Sequence, residues 1–84
     1  MKVNVKYFAS VREAMGKGAE SIDTKAGTCG ALRDELIARG GAYAQALARG
    51  KAVRVAVDQV MSPGEDSPLR EGGEVAFFPP VTGG

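Results

Sequence analysis

Apolar residues recur at every second position near both ends of this chain and at helical spacing in its middle. That change of period restricts the fold more than anything else in the sequence. Val3, Val5 and Tyr7 alternate with Asn4 and Lys6, the period of a half-buried strand. Beyond Gly50, Val53, Val55 and Val57 alternate with Arg54, Ala56 and Asp58, and Val75-Ala76-Phe77-Phe78 forms a last apolar run. Between these stretches Cys29, Leu32 and Leu36 fall at i, i+3 and i+7, one face of a helix. Thr28 is placed to cap that helix, Arg39 falls in its last turn, and Gly40-Gly41 supply the left-handed residue that stops it.

The remaining segments fill in a small α+β domain. A second strand is expected over Glu20 to Thr24, centred on Ile22, with Gly16-Lys17-Gly18 as the turn of an antiparallel hairpin. Tyr43 to Arg49 reads as a short second helix ending at Gly50, and Val60-Met61 as a brief edge strand. Ser62-Pro63-Gly64 and Glu71-Gly72-Gly73-Glu74 are turns, and Pro68-Leu69 begins a single helical turn. The order is β-β-α-(α)-β-β-β. With the terminal strands side by side beneath a crossing helix, it describes a β-grasp (ubiquitin-like) roll, a mixed sheet of four to five strands with one main helix and a short second one. At 84 residues there is room for one such domain, assigned to 1–78, followed by an extended tail over 79–84.

Composition removes most catalytic chemistry from the chain. There is no His and only one Cys, which excludes His-based acid–base catalysis, a Cys–His nucleophile pair, an intrachain disulfide and a Cys₄ zinc site. No metal site is expected; Glu65-Asp66 reads as a loop and Cys29 as a small core residue. Eleven Lys and Arg against ten Asp and Glu leave a net charge of +1, which argues against nucleic acid and a polybasic membrane anchor. Met1-Lys2-Val3-Asn4-Val5-Lys6 has no signal-peptide character, and no run approaches the ~18 apolar residues of a membrane span. The cytoplasm is the expected compartment.

From Val75 to Gly84 no side chain is charged. Pro79-Pro80 stiffen the exit from the last strand, and Val81-Thr82 favour the same extended backbone. Six extended residues at about 3.3 Å each reach up to ~20 Å from the body. Gly83-Gly84 carry no Cβ, so they fit a narrow slot and accept the backbone angles it imposes. The expectation is a tail, Pro79 to Gly84, that delivers the Gly84 carboxyl group into the active site of another protein. If Val75 and Phe77 line the core, Phe78 faces outward at the base of that tail, where an exposed aromatic would anchor an interface; the other reading is that it caps the edge of the core. Met61 extends the patch if it is not core, and Arg12 reads as a surface residue, with pairing to an acidic patch on a partner as the alternative.

Glu74-Val75-Ala76-Phe77-Phe78-Pro79-Pro80-Val81-Thr82-Gly83-Gly84 resembles the terminal signature of the sulfur-carrier (small) subunits of molybdopterin synthase, the MoaD family. Tyr7-Phe8-Ala9-Ser10-Val11-Arg12-Glu13 is similar to the family's first-strand motif, Val55-Ala56-Val57-Asp58-Gln59 to its third, and Leu32-Arg33 fits its helix. Residues 16–27 and 38–52 show little to match, and Gly73 stands where the family commonly has a second acidic residue. The resemblance implies that Gly84 is adenylated by an E1-like adenylyltransferase using ATP and then converted to a thiocarboxylate by a desulfurase or rhodanese-type donor. It also implies that the tail enters the large synthase subunit and gives its sulfur to cyclic pyranopterin monophosphate, with no permanently bound cofactor. On that reading the chain is no enzyme on its own, since the active site lies mainly on the large subunit. Two other readings stay open: a carrier serving thiamine thiazole formation, tRNA thiolation or cysteine synthesis, and a ubiquitin-like interaction or conjugation module that carries no sulfur.

Overall fold

The computed structural model describes residues 1–80. Their elements are β1 (Lys2–Tyr7), α1 (Ala9–Met15), β2 (Ala19–Asp23), α2 (Cys29–Ile37), α3 (Gly41–Leu47), β3 (Arg54–Val57), β4 (Val60–Met61) and β5 (Glu74–Phe78). The strands form one five-stranded sheet in the order β2-β1-β5-β3-β4. β1 and β5 run parallel with Val5 beside Val75 and Tyr7 beside Phe77, and every other pairing is antiparallel. The chain's two outermost strands are thus neighbours at the centre of a mixed sheet, as a β-grasp roll requires.

Alternation sorts the sheet into two faces. Val3, Val5, Tyr7, Val55, Val57, Val75 and Phe77 turn to one side, where they join Leu32, Leu36 and Leu47 of the helices in a single cluster. The Tyr7 and Phe77 rings stack at 6.2 Å between centroids. Cys29, Leu32 and Leu36 are fully buried, each leucine contributing about 1.5–3 kcal/mol through burial. Thr28 caps α2, its side-chain oxygen accepting from the Ala31 N–H at 3.2 Å.

Three segments depart from the sequence expectations. β1 and β2 do pair antiparallel, but α1 connects them rather than a tight turn. Gly16, at φ 76°, ends that helix as a left-handed cap instead of turning a hairpin. α2 stops at Ile37, so Arg39 lies beyond its last turn; Gly40 takes φ 76° and leads into α3, which begins at Gly41 rather than Tyr43. Pro68 forms no helical turn. It makes an isolated bridge with Thr28 instead, since the Leu69 N–H donates to the Gly27 carbonyl.

The β3–β4 hairpin turns through Asp58 and Gln59, both at positive φ (49° and 69°), the conformation that joins two strands by two residues. The Asp58 carboxylate accepts from the Arg70 guanidinium and the Glu74 N–H, both at 2.9 Å, and these bonds hold its pKa below the usual carboxylate value. No helix among the described residues is long and apolar enough to cross a membrane.

Candidate functional site

The parallel pairing of β1 with β5 brings Phe8 and Phe78 to the same end of the sheet, and antiparallel β3 starts there with Arg54 opposite Phe78. α1 begins at this end, tied down by the Phe8 N–H donating to the Phe77 carbonyl at 3.1 Å. The chain leaves through Pro79 and Pro80, both half-buried. The sheet centre therefore launches the segment beyond Phe78 from a strand held on both sides.

Away from the core, the sheet presents an open face. Met61 lies beside Ala56, which lies beside Ala76, and Phe78 and Arg54 occupy the next row. Phe8 keeps extended backbone (φ −127°, ψ 153°), so alternation places it on this face too. Phe8 is 47% and Met61 50% exposed, whereas Phe78 is half-buried and Ala76 buried. Lys6 and Glu74 pair at 3.1 Å along the same face. The result is a strip of apolar groups across the launching end, bordered by charge.

Of the residues singled out from sequence, Phe78 and Met61 share this face. Arg12 is exposed on α1, and its guanidinium lies so close to Gly18 that a Cβ there would approach its Cζ to 3.1 Å. Val81, Thr82, Gly83 and Gly84 lie outside the described residues. Phe8 was not among the sequence candidates, although an aromatic one position past the alternating run Val3-Val5-Tyr7 is the signal that finds it.

Beside the root of the tail runs a groove of about 160 Å³, bounded by Ser10 and Val11 of α1, by Lys51 and Val53, and by Pro79. Its loop wall is set by a buried cation. Arg33, whose side chain is 4% exposed, donates from Nε to the Leu47 carbonyl at 2.8 Å and from Nη2 to Ala48 at 2.9 Å, while Nη1 meets Glu65 at 2.8 Å. Each buried donor named here finds an acceptor, which is the condition for tolerating a charge in a core.

A second polar cluster braces the start of β2. Glu20 accepts from the Tyr7 hydroxyl at 2.7 Å, from Tyr43 at 2.8 Å and from Lys17 at 3.0 Å. Burial acts to raise its pKa, but these three hydrogen bonds outweigh it and the carboxyl sits below the usual value. Burial, reinforced by the adjoining carboxylate, pushes the Tyr7 hydroxyl well above the ordinary tyrosine range.

Comparison with known proteins adds sequence kinship to this geometry. A model described as the ThiS family matches residues 5–84. The molybdopterin synthase sulfur carrier subunit of Escherichia coli (strain K12) is 44% identical over 82 residues, spanning 98% of this chain and 99% of that protein. The protein of the same description from Haemophilus influenzae is 43% identical with the same coverage. A solved complex of subunits 1 and 2 of molybdopterin-converting factor from Helicobacter pylori 26695 contains a chain of the same fold. It superposes at a TM-score of 0.69 with 24% identity, and both chains are covered in full.

Proposed function

Since this chain belongs to the ThiS family, we propose that it is the sulfur carrier subunit of molybdopterin synthase, with the Gly84 carboxyl group as its working atom set. The observation that carries the reading is full-length kinship at 44% identity to a subunit of that description, together with the uncharged run Val75–Gly84. In the reaction, a Gly84 carboxylate oxygen attacks the α-phosphorus of ATP on an E1-like enzyme, and pyrophosphate leaves. A carboxylate is a poor electrophile; as the mixed anhydride with AMP its acyl carbon is attacked by the terminal sulfur of a persulfide on a desulfurase or rhodanese-type donor, AMP departs, and a thiol then cleaves the acyl disulfide, leaving the thiocarboxylate and a disulfide on the donor side. The thiocarboxylate then passes its sulfur to cyclic pyranopterin monophosphate inside the large subunit.

The chain's own contribution is aim and access. Pro79, Pro80, Val81 and Thr82 would keep the tail extended, and Gly83 would let it pass a slot too narrow for a side chain. Phe78, Met61 and Arg12, with Phe8 added from the open face, would seat the partner. Catalytic bases and phosphate-binding cations belong to the partners, consistent with a chain that has no His. The buried lone thiol, Cys29, suits a reducing cytoplasm.

Intact-protein mass after co-expression with the activating enzyme tests this. The carrier gains the increment of one oxygen-to-sulfur exchange, localised to Gly84. A variant with one residue appended after Gly84 keeps its fold, gains nothing and supports no molybdopterin synthesis. An unmodified wild-type mass, or an extended variant that still makes molybdopterin, refutes the proposal.

A further inference from the structure

We propose that Lys51 and Arg54, with Arg12, form a cationic rim around the root of the tail that steers the molecule onto a partner pocket edged with carboxylates. This rests on the carrier reading above and adds the chemistry by which the tail-receiving protein recognises its partner. All three side chains are exposed, and among the described residues none has a carboxylate partner, although seven ion pairs engage other charges. Arg54 stands opposite Phe78 on the open face, while Lys51 lines the groove against Pro79. That groove carries the Ser10 hydroxyl and no carboxylate.

Near this end Glu20 is filled by Tyr7, Tyr43 and Lys17, and Glu13 on α1 makes no ion pair among the described residues. At the other end of the sheet the balance differs. There Asp23 pairs with the amino terminus, Asp58 with Arg70 and Glu74 with Lys6, and Glu71 accepts from the Lys2 backbone N–H. A net charge of +1 gives the whole molecule almost no pull on a partner. Placement supplies it, because whatever swallows the tail must bring its mouth within a Debye length of Lys51 and Arg54, about 8 Å at physiological salt.

The test measures association of the full-length chain with the purified large subunit of molybdopterin synthase by stopped flow at about 0.01 and 1 M salt, where the Debye lengths are roughly 30 and 3 Å. Wild-type association slows about tenfold or more at the higher salt. K51E and R54E each slow it at low salt and flatten its salt dependence. K2E, the same change in net charge at the far end of β1, leaves the rate near wild type. Wild-type rates indifferent to salt, or equal slowing by all three substitutions, overturn the proposal. Mass analysis keeps this distinct from the carrier reading, since K51E and R54E still acquire sulfur at Gly84 and transfer it at saturating large subunit. A failed carrier reading leaves the wild type itself without sulfur.

Discussion

Single residues in this fold are held by partners that come from far along the chain, and Tyr7 is the clearest case. Its ring belongs to the core, while its hydroxyl donates to Glu20 at the edge of the sheet. Because folding raises the Tyr7 pKa, the associated stability is fully present below the unfolded value of 10.0 and is lost as pH rises toward the folded one. Lys17, also raised, adds loss in the same direction. Glu20 runs the other way: its lowered pKa gives stability above the unfolded value of 4.5 that disappears as pH falls toward the folded one. Tyr7→Phe should therefore cost about 1.5–3 kcal/mol at neutral pH, the worth of a hydrogen bond to a charged group. Urea midpoints across pH should show a shallower alkaline decline than wild type, with the Lys17 part remaining; an unchanged alkaline slope counts against this account. The alternation of β1 made the Tyr7 ring legible as core, but nothing local to Tyr7 announces Glu20 or Tyr43. Arg33 is similar. It follows Leu32 on the helix, and its burial depends on carbonyls of Leu47 and Ala48 that sequence spacing does not bring near it.

Elements were legible where local chemistry and tertiary packing agree. α2 has an apolar stripe and a side-chain cap at Thr28, so its start and its buried face follow from the residues alone. β3, β4 and β5 follow from alternation bounded by turns. α1 did not declare itself, for physical reasons. It has seven residues, too few to be stable alone, and Phe8 offers no side-chain cap. What holds it is Val11 and Met15, spaced i and i+4 and buried on the core. That pair, followed by a glycine, is the signal that was available. Gly16 is consequently a helix cap under conformational constraint, with no atom near the position of an added Cβ. Gly16→Ala should cost about 1–2 kcal/mol from the left-handed backbone alone. Gly27, equally unobstructed and without positive φ, provides the contrast: Gly27→Ala should leave stability unchanged or raise it by up to about 1 kcal/mol. Chemical denaturation of the two variants checks the pair, and equal losses would show that backbone angle is not the cause.

At the scale of the whole molecule, the governing contact is also the most distant one in sequence. Asn4 lies beside Glu74, and β5 bonds to β1 on one side and to β3 on the other. Neither β1-β2 nor β3-β4 can complete the sheet without it. Long loops must close before those contacts form, so refolding should be slow for a chain this small. Cutting the chain after Gly73 should yield an unfolded polypeptide, seen as collapsed amide dispersion in NMR. A cut that removes only Gly84 should leave the dispersion native, and a folded 1–73 fragment would contradict the central role of β5. The apolar open face was partly legible, through Phe78 and Met61; its reach to Phe8 emerged only from the register of β1 against β5. That register also bears on how the cell makes the protein. A ribosome that stalls before Glu74 would release a piece lacking the strand that joins β1 to β3, and if that piece is unfolded, as expected above, it would be exposed to proteolysis. Copies that survive would then have been translated at least through the strand that leads into the tail, so the architecture would act as its own proofreader against stumps lacking the business end.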